Sequence, residues 1–177
     1  VRSLSPRARA ALGAYVAGLS AAYDAGSVLL DAEAELAPGT VAVERTQAGE
    51  RLPARTFDLV VSVDAPHRCV DWGARLRQLR GVAARALVVV VENDERLGQA
   101  GAVSHDVLAR LLWQLGRVRE HVYVDCPRIA SREAVVSVPA GRLVRATARL
   151  RAYVVDTGPR TPQARRRLRV AGREGEG

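Results

Sequence analysis

Thr56-Phe57-Asp58-Leu59-Val60-Val61-Ser62-Val63-Asp64-Ala65-Pro66-His67-Arg68-Cys69 is the stretch on which the fold turns. Its first half is a short valine-rich apolar run, introduced by Leu52-Pro53-Ala54-Arg55 and closed by polar residues. Runs of that kind are strands buried on both faces, and such strands belong to parallel sheets covered by helices. Its second half gathers Ser62, Asp64, His67 and Cys69 where the strand should stop. The carboxyl ends of strands are where open α/β sheets hold their ligands.

Working towards the N-terminus, Thr40-Val41-Ala42-Val43-Glu44 alternates and is β-branched, which predicts a strand. Ser27-Val28-Leu29-Leu30 predicts a brief buried strand ending in Asp31. Asp31 has two readings: a carboxylate at a strand tip that accepts hydrogen bonds from a ribose diol, or a cap for the short turn at 32–36. Before it, Ser5-Pro6 followed by residues 7–22 predicts a helix, with serine as N-cap, proline in the first turn, and Leu12, Tyr15, Val16 and Leu19 facing the core.

Working towards the C-terminus, Asp71-Trp72 opens a helix to Val82. Trp72, Leu76, Leu79 and Val82 are expected on its inner face and the arginines on its outer face. Residues 85–91, with four consecutive valines, form the least ambiguous strand and run into Glu92 and Asn93. Ser104 caps a helix that continues through Leu108, Leu111, Leu112 and Leu115, with Trp113 expected in the core or at its rim. Strands are predicted over 121–127, 133–138 and 151–157, with a short helix or connector at 143–150.

The order Leu52-Pro53, Phe57-Asp58-Leu59-Val60-Val61-Ser62, a histidine-containing turn and Asp71-Trp72 resembles the fourth-strand region of class I S-adenosylmethionine-dependent methyltransferases. The resemblance spans roughly residues 5–157. It implies an α/β fold, three-layer and Rossmann-like, with a mainly parallel sheet, helices on both faces and an antiparallel edge strand near the C-terminus. It also implies S-adenosyl-L-methionine as cofactor and a small-molecule methyl acceptor. Asp31 and Ser62 then fall on the cofactor side. The connection that in this family meets the adenine aligns on Gln47, Ala48 and Gly49, without the family's usual carboxylate. His67 is the candidate base, with Asp64 as its orienting partner.

The chain departs from the family at its front, where no Gly-x-Gly precedes the first helix. Either the sequence starts just after the glycine turn, with Asp31 on the second strand, or Ser27–Asp31 is the first strand with a degenerate turn at Ala32-Glu33-Ala34. The later strand order favours the first alternative. A rival function follows from the same gap: a catalytically inactive Rossmann-like relic or partner subunit.

Composition narrows the other classes. A chain of 177 residues suits one core, taken as a single domain over 1–160 with a basic, disordered tail over 161–177. All 27 basic residues are arginine and the net charge is +8. They are spread along the chain, so a solvated basic surface is expected rather than a nucleic-acid patch. No run is long enough for a membrane span. No secretory pattern opens the chain, and a cytoplasmic protein is expected. Cys69 and Cys126 are too far apart in sequence for metal spacing, so no metal site is expected. A homodimer, or a partner supplying the missing N-terminal element, is the expected assembly if there is one.

Overall fold

The computed structural model describes residues 4–33, 36, 41–93, 103–125, 135–137 and 142–158. In chain order the elements are α1 (Pro6–Ala22), β1 (Ser27–Asp31), β2 (Ala42–Thr46), β3 (Phe57–Val63), α2 (Ala65–Arg68), α3 (Trp72–Val82), β4 (Ala83–Glu92), α4 (His105–Leu115), β5 (Arg117–Val124), β6 (Val135–Ser137), α5 (Arg142–Thr147) and β7 (Leu150–Asp156). The seven strands form one sheet in the order β2-β1-β3-β4-β7-β5-β6. β1, β2, β3 and β4 run parallel. β7 is antiparallel to β4 and β5, and β6, at the border, is antiparallel to β5. The antiparallel strand expected near the C-terminus is therefore β7, which lies between β4 and β5, two places in from the border strand β6.

Alternation along the strands sends side chains to two separate layers. Leu30, Val61, Val88 and Val154 pack with Leu12, Val16 and Leu19 of α1. Leu29, Val60, Leu87, Val89 and Val155 pack with Leu76 and Leu79 of α3 and Leu108, Leu111 and Leu112 of α4. Strands covered on both faces need apolar residues at every position, which is why β3 and β4 read as unbroken valine runs. The expected three-layer, mainly parallel, Rossmann-like sheet is what the chain adopts.

The helices begin where their capping residues dictate. Ser5 Oγ accepts from the Ala8 amide at 3.1 Å and Pro6 opens α1. Asp71 Oδ1 accepts from the Ala74 amide at 2.8 Å at the head of α3. Each such cap is worth about 1 kcal/mol. At the amino ends of the strands, Asp58 accepts from the Gly26 and Ser27 amides at 2.8 and 3.1 Å and pairs with Arg85, a structural role.

Three expectations are corrected. Arg75 does not lie on the solvent face of α3; it is buried, 5% exposed, in the same layer as Leu76 and Leu79. Trp113 is neither core nor rim but 67% exposed. Ser27–Asp31 pairs directly with β3 in the register Val28↔Leu59 to Asp31↔Ser62, with no strand between them. It therefore takes the first-strand place beside the central strand, not the second-strand place that the later strand order favoured.

Candidate active site at the strand switch point

From β1 the chain steps outward to β2, then returns past β1 to β3 and continues the other way to β4. Neighbouring strands whose connections leave in opposite directions open a crevice at their carboxyl ends. Here those strands are β1 and β3, and the residues at their tips are Asp31 and Ser62. β3 ends because Asp64 takes a left-handed conformation, φ 58°. Its amide is tied to the Val90 carbonyl at 2.8 Å. An aspartate tolerates that conformation better than most residues. The short helix α2 then turns over the tips.

Asp31 is fully buried and both of its carboxylate oxygens are engaged from within the chain. Oδ2 accepts from Ser62 Oγ at 3.0 Å and from Arg68 Nη2 at 3.0 Å. Oδ1 accepts from Arg75 Nη2 at 2.9 Å. Arg68 also donates to the carbonyls of Val63, at 2.7 Å, and Asp31, at 2.8 Å. Arg75 donates to the Glu50 and Gln47 carbonyls, both at 2.9 Å, and to Thr46 Oγ1 at 3.2 Å. The Arg68 and Arg75 side chains are 3% and 5% exposed. Charges this deep persist only when paired and hydrogen-bonded. Two guanidiniums thus share one carboxylate beneath α2.

Gln47, Ala48 and Gly49 form the turn after β2, with Gly49 at φ 85°. The Gln47 amide donates to Glu50 Oε2 at 2.7 Å, while its carbonyl is held by Arg75. The segment expected at the adenine is in this way moored beside Asp31. Asp64 lies on the same rim. His67 lies on α2 at the same end of the sheet; its side chain is outside the described residues. Cys69 is half-buried, and burial, the largest influence, pushes its thiol up in spite of the neighbouring Arg68. It is not a poised thiolate.

A second polar group shares this sheet face. The register runs Asp31↔Ser62↔Val89↔Tyr153↔His121 across five strands. Three strand spacings of about 4.8 Å put Tyr153 some ~14 Å from Asp31. His105 stands with Nδ1 2.7 Å from the Tyr153 hydroxyl and stacks on His121 at 5.3 Å. Arg151, 1% exposed, lies over the Tyr123 ring and donates to Asn93 Oδ1 at 2.8 Å. Asn93, at the end of β4, donates to the Arg145 and Ala148 carbonyls at 2.7 and 2.9 Å.

Arg68 and Arg75 are the site residues that sequence reasoning missed. For Arg75 a signal was present, since it sits four residues before Leu79 and seven before Val82, on the buried helical stripe. Arg68 had none beyond following a strand.

The acidic residue that meets a ribose diol belongs at a second-strand tip, so Asp31, in the first-strand place, does not stand at that position. As the side chains stand, it offers no free oxygen and no exposed surface. Among the described residues, this carboxylate does not accommodate the nucleoside in this arrangement.

No protein-family model matches the chain, and no curated protein sequence does. Among solved structures it is similar to an S-adenosylmethionine-dependent methyltransferase from Thermotoga maritima, described as a possible histamine N-methyltransferase. The TM-score is 0.52 and the identity 16%, over 82% of this chain and 91% of that one. The likeness shows a shared fold.

Proposed function

We propose that this chain is an S-adenosylmethionine-dependent methyltransferase-type protein acting on a small-molecule acceptor. The reading is carried by one observation: the switch-point crevice is bordered by an acidic residue on β1 and a hydroxyl on β3, Asp31 and Ser62, joined at 3.0 Å. The fold shared with a methyltransferase supports it. In this reading Asp31 and Ser62 serve the cofactor side, with Gln47, Ala48 and Gly49 along the rim. Methyl transfer asks the protein mainly for alignment and exclusion of water. His67 is the candidate base for a protonated acceptor, and Asp64 its orienting neighbour. A small amine is the first acceptor to try, since the related structure is described as a possible histamine N-methyltransferase.

The burial of Asp31 and its pairing with two arginines favour a second reading: a non-catalytic module or partner subunit that keeps the fold without the cofactor. Calorimetric titration with S-adenosylhomocysteine separates the two. Binding in the micromolar to sub-millimolar range, weakened at least tenfold by Ser62→Ala, supports the methyltransferase reading. No heat at millimolar ligand supports the non-catalytic module.

A further inference from the structure

We propose that Arg7 and Arg149 form an oxyanion site at the carboxyl end of β5, suited to the phosphate group of a small molecule. The site is separate from the switch-point crevice and does not depend on the cofactor reading. Four strand spacings of about 4.8 Å lie between β1 and β5, which sets it roughly 19 Å from Asp31.

The site is built around Asp125. This residue ends β5 in a left-handed conformation, φ 56°, with its side chain 1% exposed. Arg7 Nε lies 3.2 Å from Oδ1, and Arg149 Nε lies 3.4 Å from Oδ2. Two guanidiniums thus flank a single carboxylate, and the trio keeps one positive charge in excess. Among the described residues neither carboxylate oxygen receives a hydrogen bond. At these distances it is misalignment that prevents one, so the arginines are held by charge while their Nε–H groups turn elsewhere. Keeping a buried carboxylate without hydrogen bonds costs stability, the mark of a positioning rather than a packing role. The two arginines stand partly in solvent, at 55% and 42% exposure, where a solute can reach their donors.

The backbone on both sides is fixed. The Arg149 amide donates to the Asp125 carbonyl at 3.1 Å, and its carbonyl accepts from the Asn93 amide at 3.0 Å. Arg149 is thereby locked between the ends of β4 and β5. Arg7 is the second residue of α1, whose first turn Ser5 caps. The positive end of this helix adds to the field at the same edge. A guanidinium presents its donors as a planar fork that matches phosphate oxygens, and a phosphate group has oxygens enough for two forks. A carboxylate, with two oxygens, serves one.

Calorimetric titration of the full chain with inorganic phosphate at fixed ionic strength tests the site. Saturable binding is expected, weakened about tenfold or more by Arg7→Gln and by Arg149→Gln. Arg110→Gln, which removes the same charge from the exposed face of α4, should leave it unchanged. Acetate should bind more weakly than phosphate. Absence of saturable phosphate binding overturns the site, as does an equal loss in Arg110→Gln, or acetate that matches phosphate. None of these outcomes bears on the cofactor reading, which the S-adenosylhomocysteine titration decides.

Should either variant fail to fold, the wild-type protein decides. Phenylglyoxal modifies accessible arginines, and its rate at each is followed by mass spectrometry with and without saturating phosphate. Protection of Arg7 and Arg149 by about threefold or more relative to Arg110 supports the site. Equal protection of all three, or protection of none, overturns it.

Discussion

Asp31 on β1 and Arg75 on α3 meet at 2.9 Å with almost no solvent on either, 44 residues apart in the chain. The pair joins the sheet to the layer above it at the point where the crevice should open. Removing one partner of a buried ion pair leaves an uncompensated charge, at about 3–5 kcal/mol. Asp31→Ala strands two guanidiniums and should destabilise the fold by that amount in urea unfolding. Asp31→Asn, which keeps the volume and some hydrogen bonding, should cost less.

Gly116, between α4 and β5, has no room for a side chain. A Cβ there would stand 2.5 Å from the Asp156 carbonyl oxygen and 2.9 Å from Val155 Cγ1. Its φ of 166° is ordinary extended backbone, so the constraint is steric. Gly116→Ala should lose about 1–3 kcal/mol, seen as a lower urea midpoint with an unchanged slope.

Asn93 knots three segments together. Its amide donates to the Arg149 carbonyl, its side chain to the Arg145 and Ala148 carbonyls, and it accepts from Arg151. Asn93→Ala deprives buried groups of three hydrogen bonds, and about 2–4 kcal/mol should be lost. Amide exchange should accelerate in β7 before it does in β1.

Glu120 titrates above its ordinary range, chiefly through burial, with Tyr15 and Arg119 partly offsetting it. The folded state then binds a proton that the unfolded state has released. Stability contributed by this group is present in acid and declines as pH rises through the carboxylate range. Glu120→Gln should flatten that decline in unfolding measured from about pH 4 to 7. Tyr15 and Tyr23 are both pushed up, first by burial and then by Glu120 and Asp156 respectively. Their ultraviolet titration should appear only as the protein unfolds in alkali.

Most elements were legible in the chain because their signals are local. Ser5-Pro6, Asp71 and Ser104 start helices by binding amides three residues on. The valines at 88–91 needed apolar cover on both faces wherever the strand lay. Asp58 is structural because it reaches the amides that open β1, contacts across 32 and 31 residues. The partners of His105 were not legible, because Tyr153 and His121 come to it from separate strands.

Local signals in the chain specify most of the elements, the cover on both faces that they require, and the carboxyl-end position of Asp31, Ser62 and Asp64. Periodicity and capping act over a few residues and need no knowledge of the rest. That β1 pairs directly with β3, and that Arg68 and Arg75 are spent on Asp31, emerges once the chain is folded. Strand order and ion pairing depend on contacts between segments dozens of residues apart, and an arginine reads the same on paper whether it meets water or a buried carboxylate.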